Sequence, residues 1–256
     1  MKISVLTVCY NAEDTIRQTL DSFCAQKHVE RELFLIDGAS SDGTLAIARE
    51  YESDSVCVIS EPDEGMYDAL NKGLKLYQGD AFGVLNADDA YHHRDVLSQV
   101  AEGLMHSPIV QGHLNFVSDH QNKKVVRRWQ GEARPLTGFK SGWMPAHPTF
   151  YVRREVAAIV GAFDNSLDCA ADYDWMLRAI DVFGFEVRLL DTVLIDMKMG
   201  GKSTQSILAQ IKHNLEALSA RQRWLDAGLV DYALLAKPLR KIGQFIDPLK
   251  KKMDGR

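Results

Sequence analysis

The sequence predicts an α/β fold: a mixed, mostly parallel sheet with helices on both faces, followed by a helical C-terminal extension. Three observations point there. Over the first hundred residues or so, short β-branched runs alternate with stretches whose apolar residues recur at helical spacing. Most of these runs end in a polar or acidic turn, as strand-to-helix connections of an open sheet do. Apolar residues make up 46% of the 256, enough to bury a sizeable core.

Taken in order, Ile3–Val8 reads as the first strand. Asn11 then stands before a helix whose buried stripe is Ile16, Leu20, Phe23 and Cys24. Leu33–Ile36 is a second buried strand ending at Asp37, and Gly38 to Gly43 is turn chemistry before a helix opened by Leu45 and Ala48. Val56–Ile59 supplies a third strand, and a helix near Met66–Tyr77 carries Leu70 and Leu74 on one face. Ala81–Leu85 is a fourth strand that runs into Asn86, Ala87, Asp88 and Asp89. Ligand crevices of such sheets lie beyond the carboxyl ends of the strands. That rule directs Asp37, Glu61 to Glu64, and Asn86 to Asp89 toward one cleft.

The second half is less regular. Ile109–Val117 and Lys124–Trp129 read as strands joined by a polar turn at Asp119–Asn122, and His147–Val152 as another strand. Asp172–Val182 reads as a helix opened by acids, which the helix dipole favours. Ser203–Leu225 makes a long helix with Ile207, Ile211, Leu215 and Leu218 as its stripe. One α/β unit is therefore expected over residues 1–205, in halves 1–100 and 101–205, with 206–256 as the helical extension.

Composition narrows the function. The formal net charge is −5 with both signs interspersed, which speaks against nucleic-acid binding. No apolar run approaches the roughly 20 residues that span a bilayer, and Met1–Val5 enters a strand without a signal-peptide layout. The four cysteines, Cys9, Cys24, Cys57 and Cys169, sit in apolar stretches without CxxC spacing. Buried free thiols in a reducing, cytoplasmic setting are the expectation. In the tail, 237–252, Leu239, Ile242, Phe245, Ile246 and Leu249 lie among Arg240, Lys241 and Lys250–Lys252. That mix suits the anionic inner face of the cytoplasmic membrane, or packing on protein.

Five blocks carry a family resemblance. They are Val5-Leu-Thr-Val-Cys-Tyr-Asn11, Ile36-Asp-Gly-Ala-Ser-Ser-Asp-Gly-Thr44, Ser60-Glu-Pro-Asp-Glu-Gly-Met-Tyr-Asp-Ala-Leu-Asn-Lys-Gly73, Leu85-Asn-Ala-Asp-Asp89 and Ala170-Ala-Asp-Tyr-Asp174. In order and spacing they resemble the family 2 glycosyltransferases of bacterial polysaccharide and lipopolysaccharide biosynthesis, which have the GT-A fold. The resemblance covers about residues 1–205 and makes 1–100 the nucleotide-binding half and 101–205 the acceptor-binding half.

The resemblance implies an inverting transfer of a sugar from a nucleotide-diphosphate donor to a glycan or lipid-linked acceptor. Asp88 stands at the family's metal position, for Mg²⁺ or Mn²⁺, although Asn86 replaces the first acid of the usual Asp-x-Asp. Asn86 and Ala87 would meet the donor ribose or sugar, and Asp89 would reach metal-bound water or the sugar. Asp37 is expected to accept a hydrogen bond from the donor base, which favours UDP and admits dTDP or GDP. Thr7, Tyr10 and Asn11 would line the nucleotide pocket, with Asp63 in the loop beside it. Asp172 matches the family's base, Ala171 replaces the preceding Glu, and Asp174 is the second candidate. His147 would contact acceptor or diphosphate, Trp143 would stack on an acceptor sugar, and Lys202, in Gly200-Gly-Lys-Ser203, would close over the diphosphate. The alternatives are a nucleotidyltransferase, which lacks its Gly-rich phosphate loop here, and a catalytically silent sugar-nucleotide binder, suggested by Asn86 and Ala171. A dehydrogenase would want a G-x-G-x-x-G that is absent.

Overall fold

The computed structural model describes residues 1–28, 30–120, 124–199, 207–226 and 228. The chain opens with β1 (Ile3–Cys9), α1 (Ile16–Cys24), β2 (Arg31–Asp37), α2 (Thr44–Arg49), β3 (Val56–Ser60), α3 (Met66–Leu76) and β4 (Ala81–Val84). The four strands are parallel, in the order β3-β2-β1-β4. Both faces of this sheet are covered, which is why β1 and β2 are nearly continuous apolar runs. Successive β1 residues point to opposite faces. Leu6 packs with Ile36, Leu70, Phe82 and Trp175 on one side, and Val5 with Leu20, Phe23, Leu33 and Leu97 on the other. Each fully buried Leu or Phe contributes about 1.5–3 kcal/mol.

The chain continues through β5 (Asp89–Tyr91), α4 (Val96–His106), β6 (Ile109–Val117), β7 (Val125–Trp129), β8 (Tyr151–Arg153), α5 (Arg154–Val160) and α6 (Ala171–Leu177). A π turn over Arg178–Val182, β9 (Val187–Lys198) and α7 (Ile207–Leu225) follow. The sheet extends from β4 as β4-β8-β6-β9-β5, with β7 also on β6. β8 is antiparallel to both β4 and β6, β9 is parallel to β6, and β5 is antiparallel to β9. At the junction, a Cβ on Gly83 would lie 2.3 Å from the Tyr151 ring, so only glycine lets that ring lie across β4. The Tyr151 hydroxyl is bonded to that of Tyr91 at 2.8 Å.

Several expectations change. The predicted strand at His147–Val152 starts as a 3-10 turn, His147–Thr149, because Pro148 lacks the N–H that a ladder needs, and only Tyr151–Arg153 pairs. α4, α5, β5 and β9 were not anticipated. On α7 the expected stripe is not the packing face: Ile211 is 49% and Leu215 60% exposed, while Ala217, Ala220 and Arg221 are buried. Of the cysteines only Cys9 is buried, whereas Cys24 and Cys57 are exposed and Cys169 is half-buried, all four free. Lys202 and the tail 237–252 lie outside the described residues. Among the described residues no helix is long and apolar enough to cross a membrane.

Candidate active site

The parallel strands deliver their carboxyl ends to one edge, with Cys9 beside Asp37 and Asp37 beside Ser60. Asp37 is fully buried. Its oxygens accept the Ser60 hydroxyl at 2.6 Å, the Ser40 N–H at 3.1 Å, the Ser40 hydroxyl, and the Cys9 thiol at 3.7 Å. Burial, and then the charge of Asp37, push the Cys9 thiol far above its ordinary range. These donors occupy the carboxylate's few lone-pair directions. Asp37 thus organises the turn after β2, and the direct bond to a donor base expected of it finds no vacant oxygen.

In front of that turn, Tyr10, Gly38, Ala39, Pro62 and Asp63 line a cavity of about 360 Å³. Tyr10 is 53% exposed there. A Cβ on Gly38 would stand 2.5 Å from Asp63 Oδ2, so the glycine leaves the room that this carboxylate takes. Asp63 Oδ1 accepts the Gly65 N–H at 2.9 Å, which fixes the entry to α3. Asn11 serves the turn: at φ 49° it accepts the Ser41 N–H on its Oδ1 at 2.9 Å and donates its own N–H to Ser40 Oγ at 2.8 Å. Thr7 does not line the cavity. It is fully buried within β1, and its hydroxyl has no partner among the described residues.

At the end of β4 the chain turns back through Asn86, Ala87 and Asp88 into β5. Asn86 Nδ2 donates to Asp89 Oδ2 at 2.7 Å, and Asp89 is fully buried. Burial first, and the charge of Asp88 second, push the Asp89 carboxyl well above the usual carboxylate range. Asp89 therefore belongs to the sheet and does not face a donor as expected. Asp88 is half-buried; His120 Nε2 donates to its backbone oxygen at 2.8 Å, and no described residue bonds its carboxylate. Ala87 packs on the apolar cluster beneath. No three His, Cys, Asp or Glu side chains form a metal cluster among the described residues. A lone carboxylate fits a hard cation whose remaining positions are filled by phosphate oxygens and water, and not a cation caged by protein alone.

Asp172 opens α6. Its Oδ1 accepts the Tyr67 hydroxyl at 3.2 Å and the Tyr173 N–H at 2.8 Å, while Oδ2 lies 3.8 Å from His147 Nδ1. The side chain is 20% exposed. Burial, and then Asp172, hold the Tyr67 hydroxyl far above its ordinary range, so it stays a donor. Burial lowers the His147 imidazole more than Asp172 raises it, which keeps the ring neutral. Tyr67 sits in the first turn of α3, two residues after Gly65, so one side chain links the Asp63 loop to Asp172. The pairing of Tyr67 with Asp172 was not read from the sequence. Its signal was the polar run Tyr67, Asp68 and Asn71 at the start of a helix that leaves the strand-end edge.

Other candidates fall away. Asp174, two residues after Asp172 and so about 200° around the helix, points inward, where it binds Arg178 Nε and Trp224 Nε1, each at 2.8 Å. Trp143 is buried, with Nε1 on the Glu132 carbonyl at 3.0 Å and its ring edge-on to Phe139, and presents no face to a sugar. Lys72 closes its own loop, onto Pro62 O at 2.6 Å and Glu61 at 3.0 Å.

Comparison with known proteins bears on the family and the fold. Residues 4–160 match the family model described as Glycosyl transferase family 2, a stretch that includes the cavity, Asp88 and His147 but stops short of Asp172. An uncharacterized glycosyltransferase of Mycobacterium tuberculosis is 31% identical over 180 residues, covering 69% of this chain and 68% of its own. A PGL/p-HBAD biosynthesis glycosyltransferase of Mycobacterium bovis is 25% identical over 218 residues, covering 80% of each. In structure, the chain resembles S. aureus TarS 1–349 in complex with UDP-GlcNAc (TM-score 0.67, 19% identity, 88% of this chain and 73% of that one). It also resembles the mannosyltransferase PcManGT from Pyrobaculum calidifontis in complex with GDP-Man and Mn²⁺ (TM-score 0.65, 19% identity, 93% and 68%). At that identity the likeness speaks for the fold, which is GT-A. With more than half of its length matched to the family model, the chain belongs to glycosyltransferase family 2.

Proposed function

We propose that the chain is an inverting transferase that moves a sugar from a nucleotide-diphosphate donor, UDP-linked by preference, to a glycan or lipid-linked acceptor of the bacterial cell surface. The observation that carries this reading is the Tyr67–Asp172 hydrogen bond at 3.2 Å, which sets a carboxylate beside the helix whose entry loop walls the cavity. The donor class is supported by UDP-GlcNAc and GDP-Man in the structural neighbours, and the acceptor class by the biosynthetic relative.

In this reading the nucleotide base enters between Tyr10 and Asp63, and the diphosphate runs toward Asp88. A divalent cation bound by the Asp88 carboxylate and the diphosphate would offset charge on the leaving group. Asp172 takes the proton from the acceptor hydroxyl as its oxygen bonds to the anomeric carbon and the bond to the diphosphate oxygen breaks on the far face. A positioned base of this kind contributes about 10²–10⁴-fold. The Tyr67 hydroxyl and the Tyr173 N–H both hold Oδ1, which leaves Oδ2 to receive the proton, and the neutral ring of His147 beside it adds no competing positive charge.

Two measurements test the reading. Thermal stabilisation by a panel of UDP-, dTDP- and GDP-sugars, with and without Mn²⁺, identifies the donor; it should depend on Asp88 and be weakened in Asp88→Asn. Asp172→Asn should bind that donor as wild type does and lose turnover. Full turnover in Asp172→Asn would remove the base assignment.

A further inference from the structure

We infer that α7 belongs to the working site: Glu216 is a positioning residue that sets Asp172 in place through the turn that leads into α6. This rests on Asp172 being the base. α6 has Ala170 at its cap, with no side chain of its own to anchor the turn that leads into the helix. The carboxylate of Glu216 holds that turn just ahead of the helix. It accepts the N–H of Asp168 at 3.3 Å, of Cys169 at 2.8 Å and of Ala170 at 3.0 Å.

The surrounding contacts make a brace. From α7, Arg221 Nη1 donates to the Tyr173 hydroxyl and Trp224 Nε1 to Asp174 Oδ1, each at 2.8 Å. Arg223 pairs with Asp164 at 2.7 Å, and Lys212 pairs with Asp168. On the other side of the same loop, Asn71 of α3 holds Phe163 through its backbone N–H at 2.8 Å and its carbonyl at 3.0 Å. The residues flanking Asp172 are thus fixed from α7, while the Asp172 carboxylate accepts, among the described residues, the Tyr67 hydroxyl and the Tyr173 N–H. Such support matters because a displacement of about 1 Å at a reacting group costs roughly 100-fold in rate.

The test compares Glu216→Asp, Glu216→Gln and Glu216→Ala with wild type and Asp172→Asn. Readouts are UDP affinity, melting temperature, and kcat for nucleotide release from the donor that the sugar-nucleotide screen selects. Glu216→Asp keeps the charge but withdraws the oxygens by about 1.5 Å, one C–C bond. Its kcat and that of Glu216→Ala should fall roughly 10-fold or more, at a temperature well below the melting point and with UDP affinity held within about twofold. Glu216→Gln, which keeps the reach and one acceptor oxygen, should recover most of the turnover. If Glu216→Ala fails to fold, the Asp and Gln variants decide. Unchanged kcat in Glu216→Asp, or a loss in Glu216→Gln as deep as in Glu216→Asp, overturns the inference. Retained turnover in Asp172→Asn would instead overturn the base assignment on which it rests.

Discussion

Tyr67→Phe isolates one hydroxyl. The ring stays packed against Phe163, with centroids 6.1 Å apart and planes at 25°, so the apolar contact survives. What goes is the 3.2 Å bond to Asp172 Oδ1, while the 2.8 Å bond from the Tyr173 N–H remains. A hydrogen bond to a charged group is worth about 1.5–3 kcal/mol, and the length of this one sets it at the lower end. A loss of about 1–2 kcal/mol from the ordering of the base corresponds to roughly 5–30-fold in kcat. Steady-state kinetics should show that fall in kcat with the donor KM unchanged, and the melting temperature should move by only a few degrees. A wild-type kcat, or a loss confined to the donor KM, would refute the argument that Tyr67 acts by orienting Asp172.

Three further outcomes follow from the same geometry. Gly38→Ala should displace the Asp63 side chain, whose Oδ2 stands 2.5 Å from the new Cβ, and weaken UDP binding by isothermal titration about fivefold, roughly 1 kcal/mol, without unfolding. Asp174→Ala strands Arg178 in the core and frees the Trp224 indole, so the urea midpoint should report a loss of about 3–5 kcal/mol. His147 titrates below its unfolded value because burial outweighs Asp172. The unfolded chain therefore takes up that proton first, and the stabilising contribution, complete above about pH 6.5, is lost as pH falls through the lower folded value. Denaturation between about pH 5 and pH 7 should show stability rising with pH, and His147→Gln should flatten that slope.

The first half of the fold was legible because its strands are buried on both faces and its helices carry their stripe at regular spacing, as Ile16, Leu20 and Phe23 do. The second half hid its plan. β9 is only partly buried along most of its length and so shows no continuous apolar run, and β5 is three residues long. The packing face of α7 is made of Ala217, Ala220 and polar bonds, so an apolar stripe pointed to the wrong side. Within the site, carboxylates could be placed at strand ends from the sequence, but not sorted by what they face. Asp89 and Asp174 have the same chemistry as Asp88 and Asp172. Only the turn after β4 and the direction of the α6 start send one of each pair into the sheet or the core and leave the other half-buried. For the Tyr67–Asp172 pairing, 105 positions apart, the polar run at the start of α3 marks one partner but does not name the other.

The sheet that runs without a break from β3 to β5 has a kinetic corollary. Because β4, β8 and β6 are laddered neighbours, with the Tyr151 ring lying across Gly83, the two halves have no seam about which to swing like a clamshell. Entry of reactants and escape of the spent nucleotide then fall to side chains and rim segments, which move faster and over shorter distances than whole lobes.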